Sequence, residues 1–407
     1  MPSVPKIADY DPRDPDVIDD PIPVLTRLQS VDPVHWSTKL NGWVITGYDD
    51  ARAILTDKQI SADRLTPFYE HQSPSMQKRI SELIRYLNTW VAFKDPPEHT
   101  RLRTLMNKVF TRAAVRELRP AIERAVDRLL DSMEGQSEVD FIEAFAYPLP
   151  AAVIMNMLGL PHEDTEALKD WSNKMQLFIG GATTSSEKYT LAERGAIEMA
   201  TYFRDVIIDR EKNLGDDMIS KLLTIRQEGE ALTEDEVIGT SMLFLFGGHE
   251  TTTNLLGNGV RAFLSHPEQL QKLLSRPELI RSAVDEVLRF DGPTGATVRV
   301  VKEDHELHGQ QLKRGDRVFV MINAANHDER VFDSPGTFDI ERNPNPHLTF
   351  NYGAHFCLGA PLARLEGEVA FLRLFDRFPA MTLTAQRYRY MDTLVMRGVR
   401  SMPVSLR

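Results

Sequence analysis

Cysteine is almost absent: Cys357 is the only one in 407 residues. A lone thiol cannot close an intramolecular disulfide or build a multi-cysteine zinc or iron-sulfur site, so the sequence fits a reducing compartment. Long hydrophobic runs are missing too. The most apolar stretches, "MLFLFGG" (242–248) and "YPLPAAVIMNMLGLP" (147–161), fall short of the roughly 20 residues a membrane helix needs, and proline breaks the second. The first thirty residues lack the basic start and apolar segment of a secretory signal. A cytoplasmic protein without a membrane anchor is the expectation. Net positive charge is also lacking: 59 acids against 48 bases give −11, which argues against binding nucleic acid through its phosphates. No repeat, low-complexity tract or flexible linker divides the chain. Although the length exceeds the usual single-domain range of roughly 100 to 200 residues, residues 1–407 therefore read as one large domain, with a Pro/Asp-rich lead-in over 1–40.

What is present is mostly helical. With 42% hydrophobic and 26% charged residues the chain can bury a sizeable core. "GWVITGYDDARAIL" (42–55) reads as a short strand, a turn and a helix. In "RPAIERAVDRLLDSM" the apolar Ile122, Val126, Leu129, Leu130 and Met133 fall at helical spacing and mark one buried stripe. A long helix opens at "LTEDEV", where Thr233 and Glu236 match a capping box, and runs to the region of Pro267, a span of about 45 Å at 1.5 Å per residue. "PELIRSAVDEVLRF" is a further helix, stopped by "DGP" at 291–293. Between 294 and 325 β-branched runs and turns predict a small sheet of hairpins, and 326–347 an irregular meander. The fold class is mainly α with small β-sheets.

The cysteine lies in "HLTFNYGAHFCLGAPLAR" (347–364), before an amphipathic helix with Pro361 in its first turn. A single cysteine is most often a small buried hydrophobe. Here, however, the sulfur stands at the positive end of a helix, among unsatisfied N–H groups that favour a thiolate. Gly353 and Gly359 allow tight turns and close approach to a planar ligand, and Phe350 offers a ring to cover the sulfur. A thiolate so held suits axial ligation of haem iron. The stretch resembles the haem-binding loop of the cytochrome P450 monooxygenases, with Phe350, Gly353, His355, Cys357, Gly359, Leu362, Ala363 and Arg364 in place. Asn351 departs from the glycine or serine usual there.

A second motif, "GGHETT" (247–252), puts glycines and threonines inside a helix, where they are weak helix formers. A packing kink is the plain reading. The other is that Gly247 and Gly248 clear room for dioxygen and substrate, while Glu250 and Thr251 handle the protons that oxygen cleavage consumes. The motif resembles the family's oxygen-activation sequence, with His249 in its variable slot. The pattern ExxR occurs four times; order along the chain selects Glu286 and Arg289, and Arg342 resembles the meander arginine that completes this structural network. Haem propionates need cationic or donor partners in a core. His99 and Arg103, Arg299 and His355 resemble the family's propionate contacts.

The resemblance implies a soluble, bacterial-type haem monooxygenase: haem b ligated by Cys357, one oxygen atom from O2 entering a small apolar substrate, hydroxylation by default. Leu243, Phe246 and Gly247 are expected to line the pocket, and Thr294, Gly295 and Ala296 to approach from the sheet; Trp90, Val91 and Leu394 complete this lining. The chain has no dinucleotide fingerprint or ferredoxin extension, so the implied partners are a ferredoxin and its NAD(P)H-dependent reductase, docking near Arg101, Lys108, Arg112 and Arg364. The alternatives are a non-oxygenating haem-thiolate sensor, a peroxide-driven oxygenase, and a helical binding protein without haem.

Overall fold

A helix of 32 residues, Glu234–Ser265, runs through the middle of the molecule. The structure, a computed structural model, describes residues 10–182, 185–227 and 232–407, so the first nine residues of the lead-in lie outside the described residues. The capping box forms: Thr233 Oγ1 accepts from the Glu236 N–H at 3.2 Å, and the Glu236 carboxylate accepts from the Thr233 N–H at 2.9 Å. At the far end Pro267, which has no N–H, opens the next helix, Pro267–Ser275. Buried side chains occur on all sides of the central helix, as befits one enclosed by others: Pro148–Leu158, Lys188–Lys212, Ile280–Asp291 and Ala360–Arg377 pack on it. Glycine permits two of these approaches. A Cβ at Gly248 would stand 2.8 Å from Ile154 Cγ1, and one at Gly259 would run into the Phe371 ring.

The sheet expected between 294 and 325 is larger and less local than the sequence pattern predicts. Five strands lie in the order Val34–Ser37, Gly42–Ile45, Arg317–Met321, Ala296–Val301, Ile60–Ser61. Gly42–Ile45 pairs parallel with Arg317–Met321, and Ile60–Ser61 pairs antiparallel with Ala296–Val301, so the first sixth of the chain supplies three of the strands. The tight hairpin of the region is His305–Leu307 with Gln310–Leu312. A separate sheet joins Glu138–Asp140, Pro403–Ser405 and Thr382–Leu383 near the C-terminus.

The meander after 325 has no regular element before the cysteine loop, and hydrogen bonds fix it instead. Glu286 and Arg289, both buried, form a two-pronged ion pair, each contact 2.8 Å. The same carboxylate accepts from Arg342 Nε at 3.1 Å, Asn345 Nδ2 at 3.0 Å and the Asp339 N–H at 3.0 Å. Arg289 also donates to the carbonyls of Asn326, Pro335 and Thr337 at 2.8 to 3.0 Å. A buried ion pair is tolerable only when its remaining donors and acceptors are satisfied, and the meander backbone does that here. Asn326 carries the network onward, accepting from the Leu348 N–H at 2.7 Å and donating to Thr349 Oγ1 at 2.9 Å, directly before the cysteine loop.

Candidate active site

Two left-handed backbone positions shape the cysteine loop, Asn351 (φ 64°) and Gly353 (φ 70°). Asparagine tolerates that region better than most residues with a side chain, which accounts for its presence at 351. The Cys357 N–H donates to the Phe350 carbonyl at 2.8 Å and closes the loop. The backbone N–H groups of Gly359 and Ala360 hydrogen-bond to the sulfur, at the start of Ala360–Arg377. Burial nevertheless pushes the Cys357 thiol up, outweighing those N–H groups and the attraction of Arg103 and Arg364. The helix position alone therefore does not give the thiolate expected from sequence. A metal cation on the sulfur would.

Cys357 forms part of the wall of a cavity of about 380 Å³. Three arginines (Arg64, Arg103 and Arg299) and two histidines (His99 and His355) line it, and no aspartate or glutamate among the described residues does. His99 Nε2 is buried without a hydrogen-bond partner among the described residues, and its ring lies 4.3 Å from that of His355. Arg103 Nη2 donates to the Phe356 carbonyl at 2.7 Å, tying the helix Glu98–Val109 to the cysteine loop. Burial, then the charge of Arg299, pushes His355 down to about 3, and burial brings Arg299 down to about 10. His99 and Arg103 are lowered in the same way, by burial first. Cations assembled around a cavity that no described acid lines call for a bound polyanion.

The opposite wall is apolar. Leu243, Phe246 and Gly247 reach it from the central helix, and Trp90, tilted against Phe246 at 5.4 Å, from the segment before Val91–Phe93. The two motif glycines do different work. A Cβ at Gly247 would meet nothing nearer than Leu243 Cδ1 at 4.0 Å, so this glycine opens on the cavity; Gly248, expected to do the same, is filled behind by Ile154. Thr251 lines the cavity and its hydroxyl donates to the Gly247 carbonyl at 3.1 Å.

Glu250 does not line this cavity. It belongs to a second one, about 410 Å³, with Tyr147, Lys169, Gln176 and Asn254 in its wall. Both amide atoms of Gln176 and Asn254 Nδ2 are buried there without partners among the described residues, the setting in which water is held. His249 Nδ1 donates to the Leu245 carbonyl at 2.7 Å, which leaves Nε2 facing Glu250 Oε1 at 3.3 Å. That contact becomes attractive when the pair shares a proton.

The structure thus gathers Cys357, His99, Arg103, Arg299, His355, Phe350, Gly359, Leu243, Phe246, Gly247, Thr251, Thr294, Trp90 and Val91 around one space. Gly295, Ala296 and Leu394 are not in its wall. The Gly295 N–H is tied to the Val395 carbonyl at 2.9 Å, and Ala296 packs into the cluster of Tyr10, Leu25 and Val44. Thr297 and Val395 stand in their place. Strand alternation puts Thr297 on the face of Arg299, whose Nη1 donates to its hydroxyl at 3.0 Å, and turns Ala296 away. Arg64, Thr252 and Ile179 were not singled out by sequence; of these only Thr252, next to Thr251, carried a signal. Of the cations expected to face a ferredoxin, Arg101 is paired with Glu236 and Arg364 with Asp285 at 2.7 Å; the side chains of Lys108 and Arg112 are the more exposed ones.

A helical fold with one cysteine loop and a cation-lined cavity defines a class, and comparison with known proteins names it. The sequence profile described as "Cytochrome P450" matches residues 36–397, and the chain belongs to that family. It is 38% identical over 380 residues to the "Biotin biosynthesis cytochrome P450" of Bacillus subtilis (strain 168), spanning 93% of this chain and 94% of that one. It is 34% identical to the "6-deoxyerythronolide B hydroxylase" of Saccharopolyspora erythraea, over 94% of each. Among solved structures, P450BioI in complex with hexadec-9Z-enoic acid ligated acyl carrier protein superposes with a TM-score of 0.89 at 37% identity, covering 96% of this chain and 99% of that one. The protein is a cytochrome P450 monooxygenase, an oxidoreductase of a haem-thiolate family. Its own residues fit the cofactor: an orphaned imidazole nitrogen, guanidinium groups in a wall that no described acid shares, and a half-buried thiol, all in one cavity. No helix among the described residues is long and apolar enough to cross a membrane.

Proposed function

We propose that Cys357 is the axial ligand of haem b and that His99, Arg103, Arg299 and His355 hold its propionates, with Phe350 and Gly359 shaping the loop around the sulfur. The observation that carries this reading is the cavity itself, which unites that thiol with five cationic or donor side chains and, among the described residues, no acid. The haem, when bound, supplies reductive activation of O2. The chain's part is to position the substrate and deliver protons. Thr251 presents its hydroxyl to the cavity, while Glu250, one residue round the helix, draws on the second, polar cavity, so that a proton crosses the helix from one side to the other. Glu286, Arg289 and Arg342 keep the cysteine loop in place and touch no reactant.

The reaction we assign is insertion of one oxygen atom into a small apolar substrate, hydroxylation by default, with electrons from a ferredoxin and its NAD(P)H-dependent reductase in the cytoplasm. The apolar wall around Trp90, Leu243 and Phe246 suits a long apolar skeleton such as a fatty acyl chain, hexadec-9Z-enoic acid being the acyl group in the P450BioI complex above. The test is the optical spectrum of the reduced holoprotein under carbon monoxide, followed by turnover with a surrogate ferredoxin system. The red-shifted band of a thiolate-ligated haem, lost in Cys357→His, together with product that needs electron donors and O2, is the expected result. A band unchanged in Cys357→His refutes the ligand assignment. Product from peroxide alone would favour a peroxide-driven oxygenase, against which the presence of both Glu250 and Thr251 speaks.

A further inference from the structure

The charge in the cavity wall does not balance. Of its three arginines, Arg103 and Arg299 are matched one for one by the two propionates assigned to them, and Arg64 is left over. Arg64 follows the short strand Ile60–Ser61, and its Nη2 donates to the Ile179 carbonyl at 2.9 Å, its sole hydrogen-bond partner among the described residues. The guanidinium carbon lies 5.1 Å from the centre of the Phe93 ring.

Neighbouring acids are committed elsewhere. Asp63 accepts from the Leu65 and Thr66 N–H groups at 3.1 and 2.9 Å and so caps the helix Leu65–Glu70. Asp95, which attracts Arg299, already accepts from Ser61 Oγ at 2.6 Å and the Ala62 N–H at 2.9 Å, and pairs with Lys302 at 3.8 Å. Burial, with repulsion from Arg299, brings Arg64 down to about 10, so it stays charged at neutral pH. A guanidinium with unspent donors and no counter-ion among the described residues, in the wall of this cavity, is a receptor for an anion.

We propose that the substrate is an apolar acid and that Arg64 binds its carboxylate, an inference that rests on the haem monooxygenase reading above. Arg64 offers two parallel N–H donors to a carboxylate, and Phe93 and Ile179 flank it, so the charged end is held there and the apolar body runs along Trp90 and Phe246. An ester, an alcohol or a carrier-bound thioester of the same skeleton lacks the charge that this anchor recognises.

The experiment compares tetradecanoic and 4-phenylbutanoic acids with their methyl esters, titrated into the holoprotein and followed both by spin-state shift and by calorimetry, which does not depend on the iron. Acids should bind about tenfold more tightly than their esters, the value of a charge-assisted hydrogen bond. In Arg64→Gln that preference should vanish, chiefly through weaker acid binding, and in Arg64→Lys, which keeps the charge, part of it should return. Equal binding of acid and ester by the unaltered protein overturns the proposal. So does equal loss of both ligands, or loss of haem, in Arg64→Gln, which would make Arg64 a propionate partner. A tetradecanoyl thioester on acyl carrier protein that binds as tightly as the free acid, without dependence on Arg64, also overturns it. The carbon monoxide spectrum of the same samples reports separately on the haem-thiolate reading.

Discussion

Glu366 is sealed in the core on the helix that follows the cysteine loop, and neither of its carboxyl oxygens has a hydrogen-bond partner among the described residues. Burial pushes this carboxyl well above the ordinary carboxylate range. The folded protein therefore keeps a proton that the unfolded chain releases. Its stability is complete below the ordinary carboxylate pKa and is lost as pH rises toward the elevated value, by about 1.4 kcal/mol per pH unit relative to a neutral side chain. Glu366→Gln should accordingly raise the thermal midpoint of the holoprotein, with a gain that grows as pH rises above the ordinary carboxylate range. A gain that does not change with pH would mean that the carboxyl has a partner in the fold. Glu368, two positions on, pairs with Arg119 at 2.9 Å and carries no such penalty. In sequence the two acids look alike. The difference was legible in the helical spacing, since position 366 falls on the stripe of Leu362, Leu365 and Val369, but a carboxyl on an apolar stripe is easily read as a chance interruption. Cys357 was legible for the opposite reason, being unique. Arg64 was not, because an arginine beside an aspartate in a turn has the look of an ordinary surface residue.

At the scale of elements, the two glycines of the central helix separate shape from stability. Alanine is favoured over glycine in a helix interior by about 1 kcal/mol, and at position 247 nothing opposes it. Gly247→Ala should leave the protein as stable or more so in thermal unfolding, while narrowing the cavity and weakening the binding of bulky ligands. Gly248→Ala forces a methyl group against Ile154 and should cost about 1 to 3 kcal/mol, less the helical gain, with Ile154→Val restoring part of it. Equal effects at both positions would contradict this division. Helices such as Arg119–Met133 were readable because their periodicity is local. The pairing of Gly42–Ile45 with Arg317–Met321 was not, because alternation tells which face a strand residue occupies and says nothing of which distant segment lies beside it. The sheet-side lining went to Ala296 instead of Thr297 for a different reason: the strand carries apolar or β-branched residues on both faces, so its pattern does not tell which face turns to the cavity.

For the molecule as a whole, the total of −11 hides an uneven surface. Phe356, the residue before the cysteine, is 43% exposed, and Arg103 ties its carbonyl to the helix that ends at Val109, with Lys108 and Arg112 exposed at and just beyond that end. Arg112→Glu should slow reduction by a ferredoxin, most strongly at low salt, without altering substrate affinity, as read by stopped-flow absorbance; unchanged kinetics would remove this face from the docking surface. The central helix has a further consequence for the whole chain. It is a partition with Thr251 on one side and Glu250 on the other, and successive residues differ by about 100° around its axis. Losing or gaining one residue upstream of position 247, between the capping box and the motif, would turn every later side chain to the wrong compartment while leaving the helix itself intact. Drift in chain length is thereby excluded from this one element and confined to the loops, so that the two chambers stay in phase through any change elsewhere.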